Sequence, residues 1–388
     1  MKYDIVVIGA GIQGAGVAQA AAAAGYSVLV VEQTAPAAGT SSKSSKLIHG
    51  GLRYLESGQF GLVHESLRER TLLLKLAPEL VKLQPLHIPI YENSSRSALT
   101  IRAGLSLYAL LAGLNSNSLF RQLSRKEWQG LEGLRQDNLK AVFRYQEAQT
   151  DDAALTRAVL QSAIVLGADV MMPAKFLGAE RNGQCCKVDV EGASGIQSIS
   201  CRVLVNCAGP WVNQVLAKVT PALPLPAVEL VQGSHLLLPP LLDQYFYVEA
   251  PQDKRAVFVL PWEGKLMVGT TEKVHQGAPE QAACSEDEKR YLLATLSHYF
   301  PHLSIPAKVE SFAGLRVLPK SDNTAFSRPR EVMFSVDDEA KPRVLSIMGG
   351  KLTTYRATAA AAMARLMPSL PTKERRADTE LITLIPLD

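Results

Sequence analysis

The chain has 388 residues, enough for a large core and two domains. Its hydrophobic fraction of 47% is ordinary for a soluble globular protein, and 41 basic against 37 acidic residues leave a charge of +4, which gives no argument for nucleic acid but suits anionic substrates. Five cysteines, odd in number and without a CxxC pair, argue against a disulfide frame, and the acidic residues show no metal-ligand spacing, so no metal is expected.

The chain opens directly into a strand-like apolar run, Ile5 to Ile8, so no signal peptide and a cytoplasmic setting are expected. That run meets Gly9-Ala10-Gly11-Ile12-Gln13-Gly14, then an alanine-rich helical stretch, then a second apolar run, Val28 to Val31, closed by Glu32. Gly9 allows a tight turn, Gly11 lets backbone approach a pyrophosphate, and Gly14 lets helix and strand pack closely. The helix N-terminus faces phosphates, and Glu32 can accept a hydrogen bond from a ribose hydroxyl while repelling a 2′-phosphate. A lone glycine motif would be weak evidence, since it also suits an ordinary βαβ turn. Here strand, helix, second strand and acid stand in register.

A small-residue loop follows at 34–45, and a helix is expected near 63–83. Residues 84–140 read as irregular, with Pro85, Pro89 and an apolar stretch at 103–114. That stretch is shorter than the roughly 18–20 apolar residues that span a bilayer, so it reads as a buried helix or an interfacial one. Asp151 and Asp152 start a helix that ends before Gly167, and strands follow at 187–190 and 202–207. Strands at 236–240, 256–261 and 266–271, separated by turns, suggest an antiparallel sheet, and Ser285 with Glu288 has capping-box spacing for a helix over 285–300. A strand, glycine turn and helix return from Val344 onward, and the tail 371–388 is expected to pack poorly. The fold class is therefore α/β: a Rossmann-like layer (1–83, 145–220 and 310–370) with an α+β domain built on the antiparallel sheet (84–144 and 221–309).

Residues 40–56 read TSSKSSKLIHGGLRYLE. A solvated linker would not end by mixing apolar anchors with His49, Arg53 and Tyr54. A cofactor-facing loop would offer hydroxyls and N–H groups to a pyrophosphate and present Arg53 to a substrate anion. Here the chain strongly resembles the FAD-dependent glycerol-3-phosphate dehydrogenases, within the D-amino-acid-oxidase-like flavoproteins. The resemblance rests on the blocks at 4–16 and 40–56, on NCAGPWV at 206–212, QGSHLLLP at 232–239, VFVLPW at 257–262, VGTTE at 268–272, GLRVL at 314–318 and GGKLTTYR at 349–356. Two departures stand out. Family members usually continue into a C-terminal helical domain about where this chain ends, and their Val-Arg-Pro is Leu315-Arg316-Val317 here.

The resemblance implies FAD and the oxidation of sn-glycerol 3-phosphate to dihydroxyacetone phosphate, with hydride passing from C2 to flavin N5. It places FAD against Gly9, Gly11, Gly14, Glu32, Thr40, Ser41, Ser42, Ser45, Lys46, Leu47, His49, Gly209, Trp211, Gly314, Gly350, Lys351, Leu352 and Thr353. Arg53 and Tyr54 would bind the phosphate, with Arg316 at the phosphate or the reacting carbon. Lys351, at an expected helix start, would stabilise reduced flavin. His235 would take the C2 hydroxyl proton, although a core histidine fits its position nearly as well. Arg316, His235 and Lys351 form the catalytic set, and all three also count as substrate-binding. Membrane quinone is one candidate acceptor, with the protein peripheral on the inner face of the membrane, and a homodimer stays open. The alternatives are an oxidase of another small 2-hydroxy acid or amine, or a non-catalytic flavin-binding protein.

Overall fold

The structure is a computed structural model that describes residues 2–320 and 331–387. Its described strands form two sheets, one of nine strands and one of ten. In the first sheet, Tyr3–Ile8 lies parallel to both Val28–Val31 and Gly195–Asn206, and Gly195–Asn206 also pairs in parallel with Val344–Met348. These strands are apolar on both faces because helices Ile12–Ala23, Asp152–Val165 and Tyr355–Leu366 cover one face while a second cluster, with Val188, Ile199 and Leu216, covers the other. The Ile12–Ala23 helix is nearly all small residues, so it lies close to the sheet.

In the second sheet, Val228–Leu238 pairs antiparallel with Lys265–Gly269 and Glu310–Pro319, and Lys265–Gly269 pairs with Ala256–Trp262. The antiparallel reading of this region holds. The Glu310–Pro319 strand, grouped above with the cofactor layer, runs beside Val228–Leu238 along its length.

Residues 84–140 are not irregular. Val81–Tyr91 pairs antiparallel with Leu139–Thr150, and a helix spans Ala98–Leu111 between them. Pro85 and Pro89 misled the reading. They stand four positions apart, so both missing N–H groups fall on the same edge of the strand; Leu139–Thr150 pairs with one edge along its length, while Tyr245–Glu249 meets the other only at Leu86 and His87. The helix expected to reach 83 spans Phe60–Leu76, since the chain becomes that strand at Val81. The apolar helix buries Ile101, Leu105 and Tyr108 and exposes Leu99 and Leu110.

Capping falls where the sequence puts it. Asp151 accepts from the N–H groups of Ala153 and Ala154, and Ser285 and Glu288 form a capping box. The tail packs better than expected. The N–H of Arg376 donates to Ala23 O at 2.7 Å, that of Leu384 to Leu76 O at 2.7 Å, and Glu380 bridges Arg68 and Arg356. No helix among the described residues is long and apolar enough to cross a membrane.

Candidate active site

The glycine loop has the geometry its sequence asks for. Gly9 sits at φ +100°, in the left-handed region, and a Cβ on Gly14 would stand 1.9 Å from Gly9 O. Glu32 accepts from Ala10 N at 2.8 Å and Thr34 N at 2.9 Å, so its carboxylate bridges the loop to the end of the second strand. Gln13 Oε1, at the start of the helix, is buried with no hydrogen-bond partner among the described residues. A tight turn, a helix N-terminus, a fixed acid and an unpaired buried acceptor together suit a dinucleotide.

The hydroxyls expected to face the cofactor hold the protein itself in this structure. Ser41 Oγ accepts from Ile12 N at 2.9 Å, Thr40 donates to Leu315 O at 2.7 Å, Ser42 donates to Gly39 O at 3.2 Å, and Ser45 meets His235 Nε2 at 2.9 Å. Lys46 spends its charge on Asp152 at 2.6 Å and on Ser42 O at 2.8 Å. The sequence marks Asp152 only as a helix-start residue, and the fold reveals it as this lysine's partner. Leu47 is a core residue beside Leu260 and Met267, so only its backbone could meet a cofactor.

Other expected site positions have close protein neighbours, and one expectation about local structure needs correction. A Cβ on Gly314 would stand 2.5 Å from Lys43 O, so the close approach there is to the serine-rich loop itself. Lys351 does not start a helix, because the helix begins at Tyr355. Its Nζ lies 4.1 Å from the Tyr54 ring centroid and donates to Ser66 Oγ at 3.1 Å. The turn Gly349-Gly350, both residues at positive φ, delivers it there instead. Trp211 donates to Glu280 and lies over Gly39, beside Gly209 at φ +53°. Leu352 packs on the core of the first sheet, and Gly350 leaves room for Gln13.

Two clusters emerge. In the first, Arg53 lies 5.0 Å from the Tyr54 ring centroid, so the ring has a cation-π contact with both Arg53 and Lys351. Burial works against the Arg53 charge, but Tyr54, with Glu272 and Tyr247, outweighs it and raises the arginine's pKa. Thr353 joins this region to His49, whose N–H donates to Thr353 Oγ1 at 3.2 Å. His49 is also tilted against Phe258, with centroids 6.5 Å apart.

The second cluster holds His235, stacked on Phe312 at 4.8 Å, and Arg316, which donates to Thr270 Oγ1 at 3.2 Å. Glu272 lies 3.6 Å from Arg316, and because its field also reaches Arg53 it relates the two clusters. Sequence reasoning missed Glu272, Tyr247 and Phe258. Glu272 and Phe258 lie in the blocks at 268–272 and 257–262, which was the available signal.

His235 is buried, and its Nδ1 has no hydrogen-bond partner among the described residues. Burial first, then the charges of Arg316 and Lys46, lower its pKa to about 3. It is therefore neutral in the working pH range, and a base role needs a bound anion beside it to raise its proton affinity. The sign for stability follows. The unfolded chain takes up this proton near pH 6.5 and the folded one only near 3, so the stabilisation is complete above 6.5 and fades as pH falls toward 3. His235→Gln should flatten that part of the stability-pH curve, measured by denaturant unfolding. An unchanged acid slope would show that His235 titrates normally.

A dinucleotide-binding glycine turn together with clusters of cationic side chains, Arg53 and Lys351 on Tyr54 and Arg316 on the second sheet, fits a nucleotide-dependent redox enzyme acting on an anion. Comparison with known proteins makes it specific. A family model, FAD dependent oxidoreductase, matches residues 4–367, and the chain belongs to that family. FAD is its cofactor. The chain is 38% identical over 373 residues to a glycerol-3-phosphate dehydrogenase of Pseudomonas aeruginosa, covering 94% of this chain and 72% of that one. It is 35% identical over 377 residues to a D-erythritol 1-phosphate dehydrogenase of Brucella abortus, covering 95% of this chain and 74% of that one. A glycerol-3-phosphate dehydrogenase from Bacillus halodurans, solved with FAD, superposes with a TM-score of 0.76 at 28% identity, over 99% of this chain and 68% of that one.

Proposed function

We propose that this enzyme oxidises sn-glycerol 3-phosphate to dihydroxyacetone phosphate. The observation that carries the reading is the pair of cations on Tyr54. Arg53 offers a planar fork and Lys351 a point charge, a set matched to a phosphate dianion better than to a monocarboxylate. Bound FAD supplies a two-electron acceptor for the alcohol oxidation. The chain's own work is to bind the phosphate, to orient the C2 hydroxyl and to take its proton. His235 Nδ1 is the candidate acceptor, enabled when the substrate's charge offsets that of Arg316.

The test is anaerobic. Adding glycerol 3-phosphate without oxygen should bleach the flavin absorbance, and glycerol should not. D-erythritol 1-phosphate belongs in the same experiment, since a relative is named for it. Bleaching by an amino acid or a 2-hydroxy acid, and not by glycerol 3-phosphate, would overturn the reading.

We further propose that the electrons pass to a bilayer quinone. The support is the outer face of the Ala98–Leu111 helix and the turn beyond it. Leu99 is 77% exposed, and Leu110 and Leu114 are 60% exposed, with Arg102 and Arg121 nearby, the composition of an interfacial segment. The protein should float with anionic liposomes at low salt, and a Leu99→Asp/Leu110→Asp variant, still folded and flavin-loaded, should not. Wild type that stays at the bottom of the gradient would leave a diffusible acceptor.

A further inference from the structure

We propose that Tyr108 is a positioning residue that sets the backbone of the loop carrying Arg53 and Tyr54; the proposal rests on reading those residues as the substrate clamp. The loop passes through Gly50 and Gly51, two residues with no side chain to pin them, and Gly51 sits at φ +82°. Something outside the loop must fix it. The Gly50 N–H donates to Tyr108 Oη at 2.9 Å, and a Cβ on Gly50 would stand 2.4 Å from that oxygen.

The direction of this bond is enforced chemically. Tyr108 donates its own proton to Glu147, and Glu147 is held by Arg70 at 2.7 Å. A carboxylate paired with a guanidinium is an acceptor, so the phenol proton points to Glu147 and a phenol lone pair is left for Gly50. Arg70 is anchored in turn on Ser118 Oγ at 2.7 Å and Gln146 O at 3.0 Å. Tyr108, Glu147, Arg70 and Ser118 are all buried, so the arrangement is not loosened by water. Burial, with the Glu147 charge, keeps the phenol protonated. The four act on the clamp through Gly50.

Tyr108→Phe keeps the ring and removes the bond. With flavin content retained, kcat/KM for glycerol 3-phosphate should fall about tenfold, carried by KM, on the scale of one lost hydrogen bond. Binding of glycerol 3-phosphate to the dithionite-reduced enzyme, measured by calorimetry without turnover, should weaken by the same factor. In an Arg53→Ala background the added Tyr108→Phe should change both values less than it does in the wild type, since only Tyr54 and the Lys351 it carries remain to be positioned. Ser118→Ala, which trims the far end of the network, should raise KM less than Tyr108→Phe does. Amide exchange in a peptide spanning 48–54 should quicken at least tenfold in Tyr108→Phe.

Unchanged KM and unchanged exchange would overturn the proposal, as would equal losses in both Arg53 backgrounds. If Tyr108→Phe fails to hold flavin, Glu147→Gln gives the phenol a partner that can also donate and so removes its single orientation. Raised KM there supports the proposal, and unchanged KM overturns it. Absence of wild-type turnover would refute the substrate reading, while the exchange measurement still decides whether Tyr108 holds the loop.

Discussion

Arg53→Ala and Arg316→Ala should each lower kcat/KM for glycerol 3-phosphate by about 2–4 kcal/mol, roughly 30- to 1000-fold, the scale of a charged contact removed from a partly dry site. The structure separates the two effects. Arg53 shares Tyr54 with Lys351, so its loss leaves one cation at the phosphate. Arg316 is tied to Thr270 and Glu272, so its loss also removes one partner of the Glu272 carboxylate and leaves more of that negative charge facing the substrate. Arg316→Ala is therefore the more damaging, and combining it with Glu272→Gln should recover part of the loss. Steady-state kinetics with glycerol as the uncharged comparison checks this. Equal turnover of glycerol and its phosphate would rule out an anion clamp.

The second large effect concerns the cofactor. Gly14→Ala should yield purified protein with little or no flavin absorbance. Its new Cβ would lie 1.9 Å from Gly9 O, a backbone atom that cannot swing aside, so the helix must move off the turn that presents N–H groups to the pyrophosphate. Gly11→Leu should also lose FAD, for a different reason. A Cβ there meets only Ser41 Oγ, at 3.2 Å, so the fold tolerates it while the bulk of the side chain enters the pyrophosphate's path. Gly61→Ala, on an open helix face, is the control and should keep full flavin. A yellow, fully loaded Gly14→Ala protein would show that the glycine loop is not where the nucleotide binds.

What the sequence made legible was local. The glycine turn, the Ser285 capping box and the Asp151 cap each lie within a few residues, and their geometry follows from backbone rules alone. The family blocks carried the site further and named Arg53, Tyr54, His235, Arg316 and Lys351. Illegible were the partners. Nothing near Lys46 in sequence shows its ion-pair partner Asp152, more than a hundred residues on. The close approach of Lys43 to Gly314 could not be seen either, because Lys43 belongs to another loop. The Val81–Tyr91 strand hid behind its prolines, since whether a missing N–H matters depends on which edge it faces, a property of the sheet. His235 was credited with an ordinary imidazole's basicity, and only burial and two neighbouring cations reveal otherwise.

The strand order of the first sheet also bears on how the chain is made. Tyr3–Ile8 and Val28–Val31 leave the ribosome early, yet the other neighbour of Tyr3–Ile8 is Gly195–Asn206, and that strand in turn awaits Val344–Met348. At about 10 residues per second, roughly 20 s of synthesis separates the glycine turn from its first long-range partner. During that interval Ile5–Ile8 is an apolar strand with one open edge, the kind of surface that pairs with the wrong chain. The glycine turn accordingly gains its full sheet context only after Gly195–Asn206 has been made and paired.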